Sequence, residues 1–360
     1  MVGMRDVAKE AGVSLSTVSL VVNKTGYVSD DMRARVKAAM KELNYVPNEL
    51  ARNLYKNRTN LVGVIVPTIR HPFFATLTAH LQRELAAQGL RTMLCSTADA
   101  ENGEVEYVDM LRRHMMDGII VCSHTTHPND YWTSIHRPIV AFDRVLGGGI
   151  ASIGSDHEQG GRLMAHMLVN TGAHHVVMIG GPRDQFFDLA AQGDVPDDFD
   201  LHKTTFPAVR YYLTLEQELK AAGVRYEYVE AGNVEDFQGY KNAVNAVLNS
   251  MPVDGVDAVV SSDIGAALCV REAMRRHISI PRDLQIIAYD GTYLTDLAGM
   301  KMTAVAQNFD KIAQVAVGNI VRAIAKEGDA KADTTSATGR KPYEPDVLIP
   351  VTRKLGDTTR

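Results

Sequence analysis

The sequence predicts an all-α helix-turn-helix headpiece followed by an α/β core of two lobes, each built on a doubly wound parallel sheet. The first 46 residues are helical with short loops, and a glycine turn separates a first helix from a capped second helix. After Asn60, continuous apolar runs alternate with amphipathic helices, which is typical of parallel strands covered by helices on both faces. Nine such runs favour two lobes over one sheet.

Composition narrows the class of protein. The 360 residues and the apolar fraction of 45% predict two or three domains with an ample core. No apolar run reaches the roughly 20 residues of a membrane span, and Arg5 and Asp6 interrupt any signal peptide. We therefore expect a cytoplasmic protein without a membrane partner. Three cysteines, odd in number and far apart, favour buried free thiols over disulfides or metal: Cys95, Cys122 and Cys269.

Charge is distributed unevenly along the chain. Residues 1–58 hold ten lysines and arginines against six acidic residues, which gives +4 in a chain of net charge −5. The remaining residues therefore carry −9. This asymmetry indicates a nucleic-acid-facing N-terminus on an acidic body, although +4 on a small domain is also compatible with chance.

Cap and turn residues define three helices in the headpiece, residues 1–46. The first covers residues 6–11, and Gly12 supplies the positive φ that ends it. Ser14 caps the second helix, residues 15–23, and Ser29 caps a third over residues 29–43. The predicted headpiece core is Val7, Ala8, Val13, Val18 and Val21.

A linker over residues 47–59 joins the headpiece to the core. Within the ten-residue segment 48–57, Pro47 before it and Asn48 as cap allow a short helix over residues 49–55. Ten residues are too few to be stably helical alone. We therefore expect this helix to form only when a partner holds it.

The core is predicted to span residues 60–360. Its first lobe takes residues 60–157 and 292–322, and its second lobe takes residues 158–291 and 323–360. Ligands of such sheets bind at the carboxyl ends of the strands. The predicted strands are residues 61–66, 90–96, 118–122, 139–142, 176–180, 226–230, 258–262, 285–289 and 302–306. The helices between them include residues 74–88, 158–170, 212–222, 235–249 and 264–277.

Short motifs occur in a fixed order along the chain. The headpiece and linker contain DVAKEAGVS at 6–14, STVS at 16–19, YVPN at 45–48 and ARNL at 51–54. The core contains HPFF at 71–74, FDR at 142–144, GGP at 180–182, SD at 262–263, AYD at 288–290 and QNF at 307–309. In this order and spacing they resemble the lactose/galactose repressor family of bacterial transcription regulators. The resemblance implies a DNA-binding headpiece, a hinge helix, a core like that of periplasmic sugar-binding proteins, and a homodimer on a palindromic double-stranded DNA operator.

The resemblance implies that Leu15, Ser16 and Leu20 read bases from the second helix. Most family members carry arginine at the position of Leu20, which can bind guanine through two hydrogen bonds, whereas leucine offers only an apolar contact. The alternative is that Leu15 and Leu20 pack within the headpiece. Phosphate contacts are expected from the other polar residues of this set, such as Thr17, Tyr27 and Arg33. The alternative is that these side chains only face solvent. The full DNA-contacting set predicted for the headpiece is Met4, Leu15, Ser16, Thr17, Ser19, Leu20, Asn23, Tyr27, Ser29 and Arg33.

The resemblance also implies that paired hinge helices enter the minor groove. Leu54 matches a leucine that wedges between the central base pairs, and Ala51 is small enough to let two helices approach. Arg52 suits the minor groove or a phosphate, and Asn48 completes the predicted set as the helix cap. The alternative for Leu54 is that it packs the linker against the core.

For the core, the resemblance implies a small-molecule effector between the lobes. Carboxylates and amides suit hydroxyl groups, and Phe73 or Phe74 offers an apolar face, so a sugar-like ligand is the leading class. Structural pairing is the alternative for Asp143, Arg144 and Asp290. The predicted effector-binding residues are His71, Phe73, Phe74, Asp143, Arg144, Arg210, Asp263, Asp290 and Gln307.

Two departures from the family leave other ligands open. Val234 follows Gly232 and Asn233, where the family commonly has an aromatic residue that stacks on the sugar. Residues 183–207 are acidic and longer than usual, and Arg210 lies one position early for the effector-binding arginine. A nucleoside, a phosphorylated metabolite or a partner protein stays open beside a sugar.

The sequence shows no pattern that indicates an enzyme, a cofactor or a metal. Glycines 147–149 lack the spacing of a dinucleotide loop, His124 and His127 lack a third ligand, and no nucleophile-elbow motif is present. We therefore predict a DNA-binding transcription regulator, a repressor, whose operator affinity is controlled by a small molecule between the lobes. The alternatives are control by a protein partner or a non-sugar metabolite, and a solute-binding protein for transport, which would need a signal peptide and no headpiece.

Overall fold

The computed structural model describes residues 2–23, 25–47, 58–98, 103–123, 125, 127–186, 204, 206–328 and 345–360. It divides into two compact units, Met1–Asn60 and Leu61–Arg360. The second unit begins one residue after the predicted start of the core. The helix predicted over residues 49–55 lies outside the described residues, as do four residues of the predicted DNA-contacting set: Asn48, Ala51, Arg52 and Leu54.

The headpiece consists of three helices: α1 (Met4–Ala11), α2 (Leu15–Asn23) and α3 (Asp30–Glu42). The predicted ends are confirmed by their capping geometry. Gly12 has a φ of 61° at the end of α1, and the Ser14 hydroxyl accepts the Thr17 N–H at 3.1 Å at the start of α2. The Ser29 hydroxyl accepts the Met32 N–H at 3.4 Å at the start of α3. The helix-turn-helix arrangement therefore follows from local signals.

A small valine core and one arginine hold these helices together. Val7, Val18 and Val36, one from each helix, are completely buried. Arg35 of α3 donates from Nε and Nη2 to the Ala11 carbonyl at 3.0 and 2.6 Å, and from Nη2 to the Gly12 carbonyl at 2.9 Å. These bonds satisfy carbonyl groups that the end of α1 leaves without helical partners. Arg35 therefore fixes the turn between α1 and α2.

The core contains two six-stranded sheets, and along the chain most of their strands are followed by a helix. The strands are β1 (Leu61–Val66), β2 (Arg91–Ser96), β3 (Gly118–Val121), β4 (Ile139–Phe142), β5 (Ala151–Ser155), β6 (His175–Gly180), β7 (Arg225–Glu230), β8 (Ala258–Ser262), β9 (Gln285–Asp290), β10 (Thr303–Ala306), β11 (Val347–Ile349) and β12 (Thr352–Lys354). The helices are α4 (Pro72–Ala87), α5 (Gly103–Arg112), α6 (Asn129–Thr133), α7 (His157–Asn170), α8 (Arg210–Ala221), α9 (Phe237–Asp254), α10 (Asp263–Arg275), α11 (Leu294–Leu297) and α12 (Phe309–Gly328), with short 3-10 helices at Arg183–Phe186 and Pro207–Val209.

The sheet of the first lobe has the order β11-β5-β4-β3-β1-β2, and that of the second lobe has the order β12-β10-β9-β8-β6-β7. All pairings are parallel except the one between β10 and β12. The predicted doubly wound parallel sheets are therefore confirmed. Helices α4 and α12 cover one face of the first sheet, where Leu77, Leu81 and Ile320 are completely buried.

The predicted lobe boundaries were wrong in the last third of the chain. Strand β10 was placed in the first lobe, yet it pairs with β9 of the second. Strand β11 was placed in the second lobe, yet it pairs with β5 of the first. The chain crosses between the sheets three times: between β5 and α7, between β10 and α12, and between β11 and β12. A short strand carries no local signal for the sheet it joins, so these crossings follow only from long-range pairing.

Two further features bear on the expectations from composition. Cys95, Cys122 and Cys269 are all buried and free, as expected. In the described part of the chain, no helix combines the length and the apolar character needed to cross a membrane.

Candidate functional site

Helix α2 presents its N-terminal face to solvent. Leu15 is 43% exposed, and Ser16 beside it is exposed as well. The Ser14 hydroxyl lies 2.7 Å from that of Ser16 and 2.8 Å from that of Thr17. These hydroxyl groups therefore form a polar cluster around an exposed leucine at the start of the helix, which suits a face that meets DNA.

Leu20 differs from Leu15 in its surroundings. It is half-buried and packs against the headpiece core. Gly26, at a φ of 66°, passes so close that an added Cβ would lie 3.1 Å from a Leu20 methyl group. The packing alternative therefore describes much of the Leu20 side chain, whereas Leu15 stays available to a partner.

The other predicted DNA-contacting residues divide into exposed and structural positions. Tyr27 is 92% exposed in the loop before α3, and Arg33 on α3 is half-buried. Asn23 donates from its side chain to the Ser19 hydroxyl at 3.2 Å. Met4 packs against the headpiece core. Tyr27 is thus the most accessible of these side chains.

A cavity of about 440 Å³ lies between the carboxyl ends of the two sheets. Its walls include residues at or just after the carboxyl ends of strands in both lobes: Pro67, Thr97, Cys122 and Asp143 in the first, and Gly181, Asn233 and Asp290 in the second. This is where open α/β sheets bind ligands. Of the predicted effector-binding residues, seven line this cavity: His71, Phe73, Phe74, Asp143, Arg144, Asp290 and Gln307.

Two predicted effector-binding residues do not line it. Asp263 is completely buried at the start of α10. Its carboxylate accepts the backbone N–H and the hydroxyl of Thr292, both at 2.6 Å, and the Gly291 N–H at 3.1 Å. Asp263 therefore anchors the loop after β9. Arg210 is buried at the start of α8, and it is its neighbours Val209 and Tyr211 that face the cavity.

Polar groups in the cavity are joined across the two lobes. The Asp143 carboxylate accepts the Ser155 N–H at 3.2 Å. The Ser155 hydroxyl donates to Gln307 Oε1 at 2.6 Å, and Gln307 Nε2 donates to Asp290 Oδ1 at 2.9 Å. In the first lobe, Asp143 follows β4 and Ser155 ends β5, whereas Asp290 ends β9 of the second lobe. One hydrogen-bonded chain therefore spans the cavity floor.

His157 and Tyr289 form a second connection, although neither belongs to the predicted effector-binding residues. The His157 Nε2 atom lies 3.0 Å from Asp143 Oδ1, and its Nδ1 atom lies 2.7 Å from the Tyr289 hydroxyl. Both side chains line the cavity and are buried. The sequence signal was Asp156 as the cap of α7, which predicts the helix but not the partners of its first residue.

Arg144 is a buried cation on the first-lobe side of the cavity. Its Nε donates to the Ser123 carbonyl at 2.6 Å, and its guanidinium lies 4.0 Å from the centre of the Phe206 ring. Burial lowers the pKa of Arg144 to about 10, so it stays charged at neutral pH. Phe206 lines the same cavity, and the Arg144 guanidinium lies over one face of its ring.

Aromatic rings make up much of the remaining wall. Tyr211 and Tyr289 stack at 3.8 Å with an interplanar angle of 6°, and Phe73 and Phe74 meet edge to face at 5.0 Å. Such a lining supplies flat apolar surface beside directed polar groups, which is typical of small-molecule sites. The cavity can therefore hold a ligand that has both apolar faces and hydroxyl groups.

Burial also sets the protonation of two predicted residues. Burial lowers the pKa of His71 to about 4, so its imidazole is neutral. Its Nδ1 accepts the Phe73 N–H at 3.3 Å, which leaves the ring proton on Nε2 as a donor. Burial, and then the neighbouring carboxylate of Asp263, raises the pKa of Asp290 well above its usual range. When it is protonated, the Asp290 carboxyl group can donate a hydrogen bond as well as accept one.

Among the residues that the structure describes, no group of three or more histidine, cysteine or acidic side chains is arranged to hold a metal ion.

Comparison with known families also separates a headpiece from a core. Residues 3–48 match bacterial regulatory proteins of the lacI family. Residues 59–190 match the periplasmic binding proteins and sugar binding domain of the LacI family, and residues 165–341 match a periplasmic binding protein-like domain.

Curated relatives and solved structures cover nearly the whole chain. A sucrose operon repressor of Streptococcus mutans is 32% identical over 89% of this chain and 92% of its own length. A ribose operon repressor of Bacillus subtilis is 33% identical over 81% of this chain and 82% of its own. A lac repressor dimer bound to operator and an anti-inducer is similar in fold, with a TM-score of 0.74, 22% identity and 99% coverage of both chains. A CelR–cellobiose complex has a TM-score of 0.64 at 23% identity and covers 99% of this chain and 100% of its own.

Proposed function

This chain belongs to the lacI family of bacterial regulatory proteins, and we propose that it represses transcription as a homodimer on a palindromic operator and responds to a sugar-like ligand. It is a DNA-binding transcription regulator with an effector-binding core and not an enzyme. The symmetry of the assembly and the class of ligand are the parts that we infer. The observation that carries the proposal is the cavity, since side chains from both lobes line it and join across it.

The ligand class follows from the chemistry of the wall. Asp143, Asp290 and Gln307 present directed oxygen and nitrogen atoms, and stacked aromatic rings present flat apolar surface. Sugars offer hydroxyl groups for the first and apolar ring faces for the second. Relatives that are sucrose and ribose operon repressors support this class. We infer a neutral sugar with one or two rings.

The homodimer is supported by apolar side chains that the single chain leaves in solvent. In the second lobe, Met274, Tyr293 and Leu297 are 50%, 56% and 71% exposed. They lie on α10 and around α11, two helices in contact with each other. A second copy of the chain would cover this patch through a two-fold axis, since a symmetric dimer pairs the same surface on both subunits. The lac repressor of similar fold is described as a dimer on its operator.

DNA selection tests the operator. The purified full chain would be mixed with a genomic fragment library at two salt concentrations, and bound fragments would be sequenced. We expect one palindromic motif whose affinity falls steeply as salt rises, because phosphate contacts release counterions. Selection would be repeated with metabolite pools. No enriched motif in any of these selections would contradict the proposal.

Ligand response tests the cavity. Sucrose, D-ribose, cellobiose and lactose would be added to the protein–operator complex, and we expect at least one to change operator affinity tenfold or more. Asp290→Ala removes the acceptor of Gln307 Nε2 from the cavity and should remove most of that response. Asp283→Ala, at an exposed acid paired with Arg282, is the matched control. A response only to a non-sugar metabolite or to a protein would replace the sugar with that partner.

A further inference from the structure

We propose that His157 is a positioning residue that sets the relation of the two lobes across the ligand cavity. This role concerns how the proposed ligand site is regulated, and it rests on the proposed function as a ligand-responsive repressor. His157 begins α7, directly after the chain has crossed from β5. It therefore stands at the first of the three connections on which the lobes can turn.

The imidazole contacts one lobe with each nitrogen. Nε2 lies 3.0 Å from Asp143 Oδ1, which follows β4 in the first lobe. Nδ1 lies 2.7 Å from the hydroxyl of Tyr289 on β9 of the second lobe. A carboxylate oxygen only accepts, so Nε2 is the ring nitrogen that can donate to Asp143, while Nδ1 lies within hydrogen-bond distance of the tyrosine hydroxyl. The position of the ring therefore depends on both lobes at once.

The second-lobe side of this arrangement is rigid. Helix α7 packs into the core of the second lobe through Met164 and Leu168. The Tyr289 ring is completely buried and stacks on Tyr211. Gly160, one turn after His157, admits that ring, since an added Cβ would lie 2.7 Å from Tyr289 Cε2. The imidazole is therefore held by the second lobe and extends toward the first.

The first-lobe contact is close but not aligned. His157 Nε2 is buried and makes no hydrogen bond of good geometry with the described residues, although Asp143 lies within 3.0 Å. Asp143 also accepts the Ser155 N–H, which joins it to the chain through Gln307 to Asp290. A small turn of the lobes would therefore change the Asp143–His157 contact and the Ser155–Gln307 contact together. Because Asp143 and His157 both line the cavity, a bound ligand would contact the same pair.

Hydrogen exchange of the full chain, without ligand or operator, tests this role. Tyr289→Phe removes only the hydroxyl that orients His157. We expect amides of residues 150–158 and 303–309 to exchange about tenfold faster, which corresponds to about 1.4 kcal/mol. Tyr212→Phe is the matched control, because the Tyr212 hydroxyl also lies in the cavity wall but donates within the second lobe, to the Ile179 carbonyl at 3.0 Å. It should leave these amides within twofold of the parent.

A double variant separates positioning from general loss of packing. His157→Asn should raise exchange at the same two segments. Adding Tyr289→Phe to it should bring no further increase, since the hydroxyl acts through the imidazole. Equal exchange in Tyr289→Phe and Tyr212→Phe would overturn the proposal, as would additive effects in the double variant. Since neither DNA nor sugar is present, the exchange rates test the position of His157 even if the proposed repressor function is wrong.

Discussion

The headpiece and the core present their candidate functional side chains in opposite ways. In the headpiece, Leu15, Ser16 and Tyr27 are exposed on short elements whose ends are set by neighbours in sequence. In the core, Asp143, His157 and Asp290 are buried, and their partners lie up to 132 residues away. The difference teaches that a DNA-reading surface can be carried by local structure. A ligand-responsive cavity requires two sheets to be brought together.

Gly291→Ala should give the largest effect, and the effect should be confined to the core. Gly291 has a φ of 73°, and an added Cβ would lie 2.4 Å from the Ala306 Cβ atom. Overpacking and the positive φ together should lower core stability by about 3 kcal/mol. The midpoint of urea unfolding followed by Trp132 fluorescence measures this, because Trp132 is the single tryptophan and lies in the core.

Gly223→Ala is the control for this prediction. Gly223 has nearly the same φ, 71°, but no atom lies within 4 Å of its added Cβ. It should therefore cost only the conformational part, about 1 kcal/mol. Equal losses in both variants would show that the close approach of β10 to the loop after β9 does not matter.

Arg35→Ala should affect the headpiece and leave the core intact. It removes three charge-assisted hydrogen bonds to the Ala11 and Gly12 carbonyl groups, which should lower headpiece stability by about 2 kcal/mol. Hydrogen exchange of residues 2–47 measures this, with Lys37→Ala on the exposed face of the same helix as control. A matching change in Trp132 fluorescence would contradict the separation of the two units.

Glu104→Gln should change how core stability depends on pH. Burial raises the pKa of Glu104 from 4.5 to about 7, although the Thr125 hydroxyl donates to it at 2.8 Å. A carboxyl with a raised pKa contributes its stability below pH 4.5 and loses it as pH rises toward 7. Between pH 5 and 8 the parent should therefore lose about 1.5 kcal/mol more than the variant. Parallel urea midpoints for the two proteins across this range would disprove it.

Leu15→Ala and Leu20→Ala should give the smallest effects. Together they distinguish a side chain that contacts DNA bases from one that packs in the headpiece core. Leu15 is 43% exposed, so its loss should weaken operator binding by about 1 kcal/mol and leave headpiece stability unchanged. Leu20 packs on the headpiece core, so its loss should lower stability by about 1 kcal/mol. Operator titrations and exchange of residues 2–47 measure the two quantities. The reverse pattern would assign base contact to Leu20.

The fold was predictable where local chemistry decides it. Gly12, Ser14 and Ser29 end or cap helices through bonds to residues within five positions, and the structure places them as expected. The sheet that β10 and β11 join was assigned wrongly, because strand partners are chosen by the whole lobe. Short edge strands such as β12 lack an apolar run of their own.

The cavity was predictable only in part. Motifs after strands identified His71, Asp143 and Asp290, because strand ends converge in this fold. Asp263 follows a strand too, but its carboxylate turns to the neighbouring loop, which no spacing reveals. The sequence did not point to His157, because its two contacts depend on the approach of Asp143 and Tyr289 from different lobes.

The most direct test of the account is the operator affinity of the full chain measured with and without a sugar that raises the melting temperature of the core. Occupation of a cavity that joins both lobes should change the operator Kd by tenfold or more, in line with coupling free energies of about 1–3 kcal/mol. A sugar that stabilises the core and leaves the operator Kd within twofold would contradict the claim that this cavity controls DNA binding.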